Sequence, residues 1–314
     1  MSSLQRTYSV PGKTFLIGEY LALHGGPSIL LSTAPRFVLR AGLKGRPAKT
    51  AMPFAPKSPA GRLLAKANMS AARFDISDPH LGQGGMGASS AQFILSYAAL
   101  NSLSASDILR DLSCILEKFR DSAFGGEGFA PSGADVAAQL TGGVCCFDGR
   151  SVKIKNFSWA FDDLVFSLIR TNLKLATHEH LKELPDLPLK QLGGAVAQAI
   201  EAFETNDGNK LISAVNSVGG ILSQNNLTLA ATQGIIQALR SQVSGVLAVK
   251  GCGAMGADVI LVLHRPEPSK KIKVWAESKG LSICGDFKSL DARGLTVEGD
   301  SVSCADISGE EQRP

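Results

Sequence analysis

The chain has 314 residues, 44% hydrophobic and 19% charged, so it is long enough for two globular domains. Its formal charge of +4 is spread along the sequence, and no basic block favours nucleic acid as a partner. The apolar runs are too short to cross a bilayer, and the segment after Met1 does not resemble a signal peptide. The six cysteines form no C-x-x-C pair, which predicts a reducing, cytoplasmic location. The modest positive charge, without a basic block, favours a small anionic ligand over nucleic acid.

The first half of the chain opens as a sheet and then alternates loops with helices. The predicted elements are strands at 14–17, 28–31 and 36–43, a loop at 44–59, helices at 92–100 and 108–119, and a short helix that begins near Asp135 and ends before Gly142.

The second half repeats a pattern of strands and helices typical of an α+β layer. The predicted strands are 164–169, 246–250, 258–263 and 281–287, and the predicted helices are 189–203, 208–222, 232–243 and 270–279. The pattern restarts near Phe161, so we expect two domains, 1–162 and 163–314.

The most informative segment is the run Gly82-Gln83-Gly84-Gly85-Met86-Gly87-Ala88-Ser89-Ser90-Ala91. Apolar residues at helical spacing follow it from Gln92 to Leu100, so the glycines end at a helix N-terminus. Backbone N–H groups are unpaired at that end of a helix and attract anions. The run therefore predicts a loop that cradles phosphate groups.

Two other interpretations use the same glycines. Gly82-x-Gly84-x-x-Gly87 also matches the dinucleotide fingerprint of a nicotinamide-dependent oxidoreductase, with Asp107 at a suitable distance to hold a ribose. That fingerprint needs a buried strand directly before it, whereas the preceding segment is polar and contains Pro79. A hydrolase nucleophile elbow at Ser89 would need a closing glycine, which Ala91 replaces. Phosphate binding without a dinucleotide fits the run better.

Two further motifs accompany the glycine run. Pro11-Gly12-Lys13-Thr14 ends like a Walker A loop, but Thr7 stands where that loop needs its first glycine. Lys250-Gly251-Cys252-Gly253-Ala254-Met255-Gly256-Ala257-Asp258 is a glycine-rich turn between two predicted strands.

Together with Ser132-Gly133-x-Asp135, these motifs in this order resemble the GHMP kinases, a family named for galactokinase, homoserine kinase, mevalonate kinase and phosphomevalonate kinase. The resemblance covers nearly the whole chain.

The resemblance implies an α+β protein with the two-domain GHMP kinase fold. The N-terminal domain would be an α/β domain like ribosomal protein S5, the C-terminal domain would be ferredoxin-like, and the active site would lie in the cleft between them. It also implies ATP and Mg²⁺ as cofactors and a small-molecule substrate, with neither nucleic acid nor membrane as a partner. A monomer and a homodimer both remain open.

The resemblance further implies roles for individual residues. Lys13 matches the lysine near the transferred phosphoryl group, and Asp135 matches the catalytic aspartate. These types suit phosphoryl transfer, because a carboxylate can accept the hydroxyl proton and an ammonium offsets negative charge. The predicted ATP-binding residues are Gly84, Gly85, Met86, Gly87, Ala88, Ser89 and Ser90. The predicted acceptor-binding residues are Glu19, Ser132, Gly133, Lys174, Thr177, Gly253, Ala254 and Gly256.

Only one of the magnesium ligands that the resemblance implies has a clear counterpart in this sequence. Ser89 corresponds to the hydroxyl that helps to bind Mg²⁺ in the family. Phe124 stands at the spacing where mevalonate kinases carry an acidic ligand. The glycines at 125–128 leave Glu127, Asp121 and Glu117 as alternatives, and Glu127 is preferred.

The expected acceptor is 5-phosphomevalonate, with mevalonate as the alternative. Gly18-Glu19-Tyr20 and Asp258 resemble the family members that act on phosphomevalonate, and Lys174 and Arg170 could supply charge for its phosphate.

Structural roles compete with the functional ones. Asp135 could simply cap its helix, and Glu19 could form a structural ion pair. His178-Glu179-His180 lacks a third ligand nearby and is not interpreted as a metal site. A catalytically silent binding protein with the same fold is a further alternative.

Overall fold

The computed structural model describes residues 6–42, 54–67, 74–124, 129–173 and 187–298. The strands are β1 Arg6–Ile17, β2 Pro27–Ala41, β3 Phe74–Ser77, β4 Val144–Asp148, β5 Lys153–Phe157, β6 Val165–Arg170, β7 Val246–Cys252, β8 Val259–His264, β9 Ser282–Asp286 and β10 Thr296–Glu298. The helices are α1 Glu19–Leu23, α2 Pro59–Lys66, α3 Ala88–Asn101, α4 Ala105–Arg110, α5 Leu112–Ala123, α6 Ala134–Thr141, α7 Leu189–Thr205, α8 Gly208–Gln224, α9 Ala230–Gln242 and α10 Ser269–Ser278.

The first sheet has the strand order β10-β1-β2-β4-β5, and β3 pairs with β2 beside this path. This sheet buries side chains on both of its faces. Its inner strands carry apolar residues at consecutive positions, and consecutive side chains point to opposite faces. In β4, Val144 and Cys146 belong to one core cluster, whereas Cys145 and Phe147 belong to the other. Helices α2, α3, α5 and α6 cover the second of these faces.

The second sheet has the strand order β7-β8-β6-β9, with every pair antiparallel. In chain order the unit runs from β6 through the helices α7, α8 and α9 of the described residues to the β7–β8 hairpin and then through α10 to β9. This is the topology of a ferredoxin-like domain, as predicted. Helices α7 and α8 contribute to a core cluster that also contains Leu16 and Leu31 of the first sheet. One apolar core therefore joins the two halves.

Several predicted elements differ from those observed. The strands expected at 28–31 and 36–43 form one long strand, β2, whose pairing with β1 continues on both sides of a register irregularity opposite residues 33–37. The helix expected at 108–119 is two helices, α4 and α5, and α2, β3, β4 and β5 were not predicted. Strands β3 and β5 are short and largely polar, so they carry a weak hydrophobic pattern, whereas α2 and β4 are only eight and five residues long, too short for a clear periodic signal.

The dinucleotide interpretation is wrong for structural reasons. The described strand pairs are all antiparallel, whereas a dinucleotide fold needs a parallel sheet. Asp107, the expected ribose ligand, forms a capping box with Ser104 at the start of α4. The same carboxylate bonds to Arg110, so it stabilises its own helix.

The far end of the described chain returns to the first sheet. Strand β10 pairs with β1, and Arg36 of β2 donates hydrogen bonds to the Asp291 carboxylate at 2.7 Å and to the carbonyls of Arg293 and Gly294. The boundary between residues 162 and 163 stays a prediction. Among the described residues, no helix has the length and apolarity that a bilayer span needs.

The pKa of Asp291 is held below its ordinary value of 3.8, since hydrogen bonds from Arg293 and Arg36 outweigh the opposing effect of burial. A carboxyl group with a lowered pKa stabilises the folded state above its ordinary pKa, and this stabilisation is lost as the pH falls through the folded-state value.

We predict that Asp291→Asn lowers the free energy of unfolding by about 3 kcal/mol near neutral pH, because it removes the only carboxylate in the described contacts of the largely buried Arg36 guanidinium, whose remaining hydrogen-bond partners are uncharged. The difference from wild type should begin to shrink below about pH 4, where the carboxyl group is protonated in the unfolded chain, and should vanish once the pH falls below the lowered folded-state pKa. Urea unfolding at several pH values measures both effects. Asp75→Asn, at an exposed pair with Arg40, is the control and should cost under about 1 kcal/mol. A pH-independent difference would contradict the assignment.

Candidate active site

A cleft of about 580 Å³ gathers segments from both halves of the chain. Its walls come from β1 and α1, the glycine run with the start of α3, the loop before α6, and the turn after β7. The polar and glycine residues that line it include Lys13, Glu19, Tyr20, Gly84, Gly85, Gly87, Ser89, Ser90, Ser132, Gly133, Asp135, Gly253 and Asp258.

The glycine run forms a loop that leads directly into α3. Gly85 and Gly87 have φ values of 88° and 78°, a left-handed conformation that other residues adopt only with strain. Gly87 is the N-cap of α3, and Ser89, which follows one residue into the helix, is exposed in the cleft. The positive end of a 14-residue helix therefore faces the cavity.

Lys13 and Asp135 form an ion pair, with 2.7 Å between Nζ and Oδ1. The Lys13 side chain is only 9% exposed, whereas a third of Asp135 is open to the cleft. The Lys13 backbone N–H donates to the Met86 carbonyl at 3.0 Å, which ties β1 to the predicted phosphate loop at 82–87, called the phosphate loop below. A β-carbon on Gly87 would lie 2.8 Å from Lys13 Cε, so this contact requires glycine. The pair thus lies directly against the start of α3.

The capping interpretation of Asp135 is wrong. The N-cap of α6 is Gly133, and the side chain that accepts from the first N–H of the helix, that of Ala134, is the Ser132 hydroxyl at 3.2 Å. Asp135 lies in the first turn, and its carboxylate bonds to Lys13. A carboxylate at this end of a helix is also favoured by the helix dipole.

Asp258 joins the second and third glycine motifs. A β-carbon on Gly84 would lie 2.5 Å from Asp258 Oδ1, and a β-carbon on Gly253 would lie 2.5 Å from Oδ2. The carboxylate therefore fits between two glycine backbones. This close approach explains why both motifs need glycine at these positions.

Arg170 has a role that differs from the one its sequence position suggested. Its Nη1 donates to the Gly84 carbonyl at 3.0 Å, and Nη2 lies 3.2 Å from His80 Nδ1. Burial, followed by the charge of Arg170, lowers the pKa of His80, so the imidazole is neutral near pH 7. Arg170 is buried beneath the phosphate loop and holds it from the second sheet, whereas the sequence suggested a contact with an acceptor phosphate.

Glu19 forms the structural ion pair that the sequence suggested. Lys250 Nζ lies 2.7 Å from Glu19 Oε1 and 3.4 Å from Cys252 Sγ, and both members of the pair are buried. Burial works to lower the pKa of Lys250, but the Cys252 sulfur and the Glu19 carboxylate raise it above its ordinary value. The ammonium is therefore charged. Glu19 Oε2 has no hydrogen-bond partner among the described residues, and Glu19 lines the cleft.

Further hydrogen bonds that the sequence did not predict fix the turn after β7 and the loop before α6 at the cleft. The Tyr20 hydroxyl accepts from the Met255 N–H at 3.2 Å, and burial raises the pKa of this phenol to about 12. Arg120 donates to the carbonyls of Pro131 and Ser132, which hold the loop before α6. An arginine in a predicted surface helix carries no signal of such a contact.

Two predicted site residues lie off the cleft. The Met86 side chain is buried against Gly12, because its backbone carbonyl rather than its side chain meets Lys13. Gly256 packs against Gly251, where either β-carbon would be within 3 Å of the other backbone. Ala88 and Ala254 line the cleft as expected.

The predicted residues Lys174, Thr177 and Glu127 lie outside the described residues, as does His178-Glu179-His180. The alternative ligands Glu117 and Asp121 are exposed on α5 and do not line the cleft. Phe124 does line it.

We predict that Lys250→Met lowers the free energy of unfolding by about 3–5 kcal/mol, since it leaves the Glu19 carboxylate buried without a counter-charge. Adding Glu19→Gln to this variant should recover part of the loss. Urea denaturation measures both differences.

Lys155→Met is the matched control, because Lys155 and Glu204 form a pair of similar length that is about half exposed. We expect it to cost less than about 1 kcal/mol. Equal losses for the buried and the exposed lysine would contradict the argument.

Comparisons by sequence and by structure give different results. A scan against protein-family models finds no match, and a search of curated proteins finds none. Solved structures do match. Lactococcus lactis galactokinase in complex with galactose has a TM-score of 0.67 at 13% identity, with 93% of this chain and 95% of that chain covered.

Two other solved structures match over similar lengths. Streptococcus pneumoniae phosphomevalonate kinase has a TM-score of 0.67 at 16% identity, with 90% of this chain and 99% of that chain covered. L. major mevalonate kinase in complex with R-mevalonate has a TM-score of 0.62 at 18% identity, with 93% of this chain and 94% of that chain covered. The chain has the two-domain fold of the GHMP kinases, as its glycine motifs predicted.

Proposed function

We propose that the protein is an ATP-dependent kinase that transfers a phosphoryl group to the hydroxyl of a small molecule. The observation that carries this proposal is the Lys13–Asp135 pair, which lies against the N-terminus of α3 in one cleft. A cation, a carboxylate and a set of backbone N–H donors are the groups that phosphoryl transfer requires.

The loop at 82–87 and the first turn of α3 would hold the ATP phosphates. Their N–H groups are already oriented by the glycine conformations and by Arg170, so little reorganisation accompanies binding. Ser89 is exposed at this position, whereas the Ser90 hydroxyl is buried and donates to Gln139.

Asp135 would accept the proton of the acceptor hydroxyl as its oxygen bonds to the terminal phosphorus and ADP leaves. Its open face lies toward the cleft, and its other side is held by Lys13. The Lys13 ammonium would offset the negative charge that builds up on the phosphoryl oxygens. A positioned base of this kind contributes about 10²–10⁴-fold.

The described residues offer oxygen donors of the kind that Mg²⁺ prefers. The Ser89 hydroxyl and the carboxylates of Asp135 and Asp258 line the cleft beside the phosphate loop. When bound with ATP, the ion would neutralise phosphate charge. Glu127 stays the preferred additional ligand.

The proposed acceptor is 5-phosphomevalonate, which would yield 5-diphosphomevalonate, and mevalonate is the alternative. The likeness to both kinds of kinase supports this class of acceptor. Gly18-Glu19-Tyr20 and Asp258, which resemble the phosphomevalonate-specific members, support the first choice. Lys174 and Thr177 are proposed to contact the acceptor. The five described cysteines are free thiols, which supports a cytoplasmic location.

We predict ADP release when the protein is incubated with ATP, Mg²⁺ and 5-phosphomevalonate, and a slower or absent release with mevalonate, homoserine or galactose. A coupled ADP assay measures all four rates. Faster release with mevalonate would favour the alternative acceptor, and no release with either mevalonate compound would refute the proposed function.

Thermal melting with ATP and with NAD is the accompanying binding control, because a ligand that binds only the folded state raises the melting temperature. A shift with ATP but no ADP release would favour the silent binding protein.

We predict that Asp135→Asn lowers kcat by about two to four orders of magnitude, because asparagine cannot accept the proton. The KM for ATP should change little, since the loss is confined to the transition state. Steady-state kinetics and circular dichroism give the two readouts. Asp107→Asn in the first turn of α4 is the matched control and should keep kcat unchanged. A folded Asp135→Asn protein with near wild-type kcat would refute the catalytic role.

A further inference from the structure

Gln139 is fully buried, and both polar atoms of its amide form hydrogen bonds. Its Nε2 donates to the Pro11 carbonyl at 3.0 Å and to the Gly87 carbonyl at 3.2 Å. Its Oε1 accepts from the Ser90 hydroxyl at 2.7 Å. One side chain therefore bonds to the N-terminal motif and twice to the start of α3.

Gln139 also has a fixed relation to Asp135. The two residues are four apart on α6, so they lie on the same face of the helix, one turn from each other. Pro11 is two residues before Lys13 on β1. The amide thus connects the backbone that carries the lysine, the helix that carries the aspartate and the N-cap of the phosphate-binding helix.

The packing around Gly87 makes this connection stiff. A β-carbon at residue 87 would lie 2.8 Å from Lys13 Cε and 3.1 Å from Gln139 Nε2, so both side chains pack closely against Gly87. A shift of the amide therefore moves Gly87, against which Lys13 packs. An apolar residue of equal volume would also leave two buried carbonyls without donors.

We propose that Gln139 is a positioning residue that sets the separation of Asp135, Lys13 and the phosphate loop. This inference rests on the proposed kinase function and extends it to a residue that touches neither ATP nor acceptor. Its effect follows from geometry, because a displacement of about 1 Å in a reacting group can cost about 10²-fold in rate.

The test compares Gln139→Met with Ser32→Ala. Methionine keeps the volume and removes all three hydrogen bonds. The Ser32 hydroxyl is also buried and donates to the same helix, at the Ala138 carbonyl, but that hydrogen bond reaches neither Pro11 nor the start of α3. Both variants should lose stability, so kinetics are measured at a temperature where circular dichroism finds each folded.

We expect Gln139→Met to lower kcat by about 10- to 100-fold, with the KM for ATP changed less than about threefold. Ser32→Ala should keep the wild-type kcat. If Gln139→Met does not fold, Ser90→Ala removes one of the three bonds and should lower kcat by about three- to tenfold. A folded Gln139→Met protein with wild-type kcat, or an equal kcat loss in Ser32→Ala, would overturn the inference.

Hydrogen exchange separates this inference from the proposed function. Peptides that cover residues 9–16 and 84–92 should exchange faster in Gln139→Met than in Ser32→Ala. Absence of ADP release from the wild-type protein would refute the kinase proposal alone. Unchanged exchange in Gln139→Met would show that the amide does not hold the two segments, and would overturn the inference whether or not the protein is active.

Discussion

Strands β1 and β2 pair over nearly their full length, and the sheet built on them is covered on both faces. One face packs on α2, α3, α5 and α6, and the other packs on α7, α8 and the second sheet. Because the sheet is fixed from both sides, Lys13 near the middle of β1 has a defined position. The phosphate loop, α6 and the turn after β7 are then arranged around that strand.

The site combines this apolar frame with buried polar contacts that cross it. Lys250 pairs with Glu19, Arg170 bonds to the Gly84 carbonyl, and Gln139 bonds to Pro11 and Gly87. Each bond joins segments that are far apart in sequence. Charged and amide groups are costly to bury without partners. These contacts therefore favour the one arrangement of the segments in which every partner is in place over arrangements shifted slightly from it. Polar contacts therefore set the relative positions of the segments that form the cleft, and apolar packing stabilises the fold that carries them.

The sequence predicted much of the frame, and it singled out residues that the structure brings to one cleft. Continuous apolar runs predicted β6 and β8, helical periodicity predicted α7, α8 and α9, and the motifs singled out the loop at 82–87, Lys13 and Asp135, which line that cleft. The sequence failed for β5, whose pattern is polar, and for α2, which is only eight residues long. It also misjudged Met86 and Gly256, since a glycine-rich run does not reveal which members face the cavity and which pack behind it.

The sequence by itself determined local properties of the chain: backbone conformation, helix starts and strand patterns. Glycines permit left-handed backbone, small residues can open a helix, and period-two burial makes a strand, and each of these depends on near neighbours. The tertiary structure alone decided the partners across the cleft. It assigned Arg170 to the phosphate loop, Lys250 to Glu19 and Gln139 to two glycine-motif segments. The partners in these contacts are 52 to 231 residues apart in the chain, and only the folding of the two sheets brings them within hydrogen-bond distance.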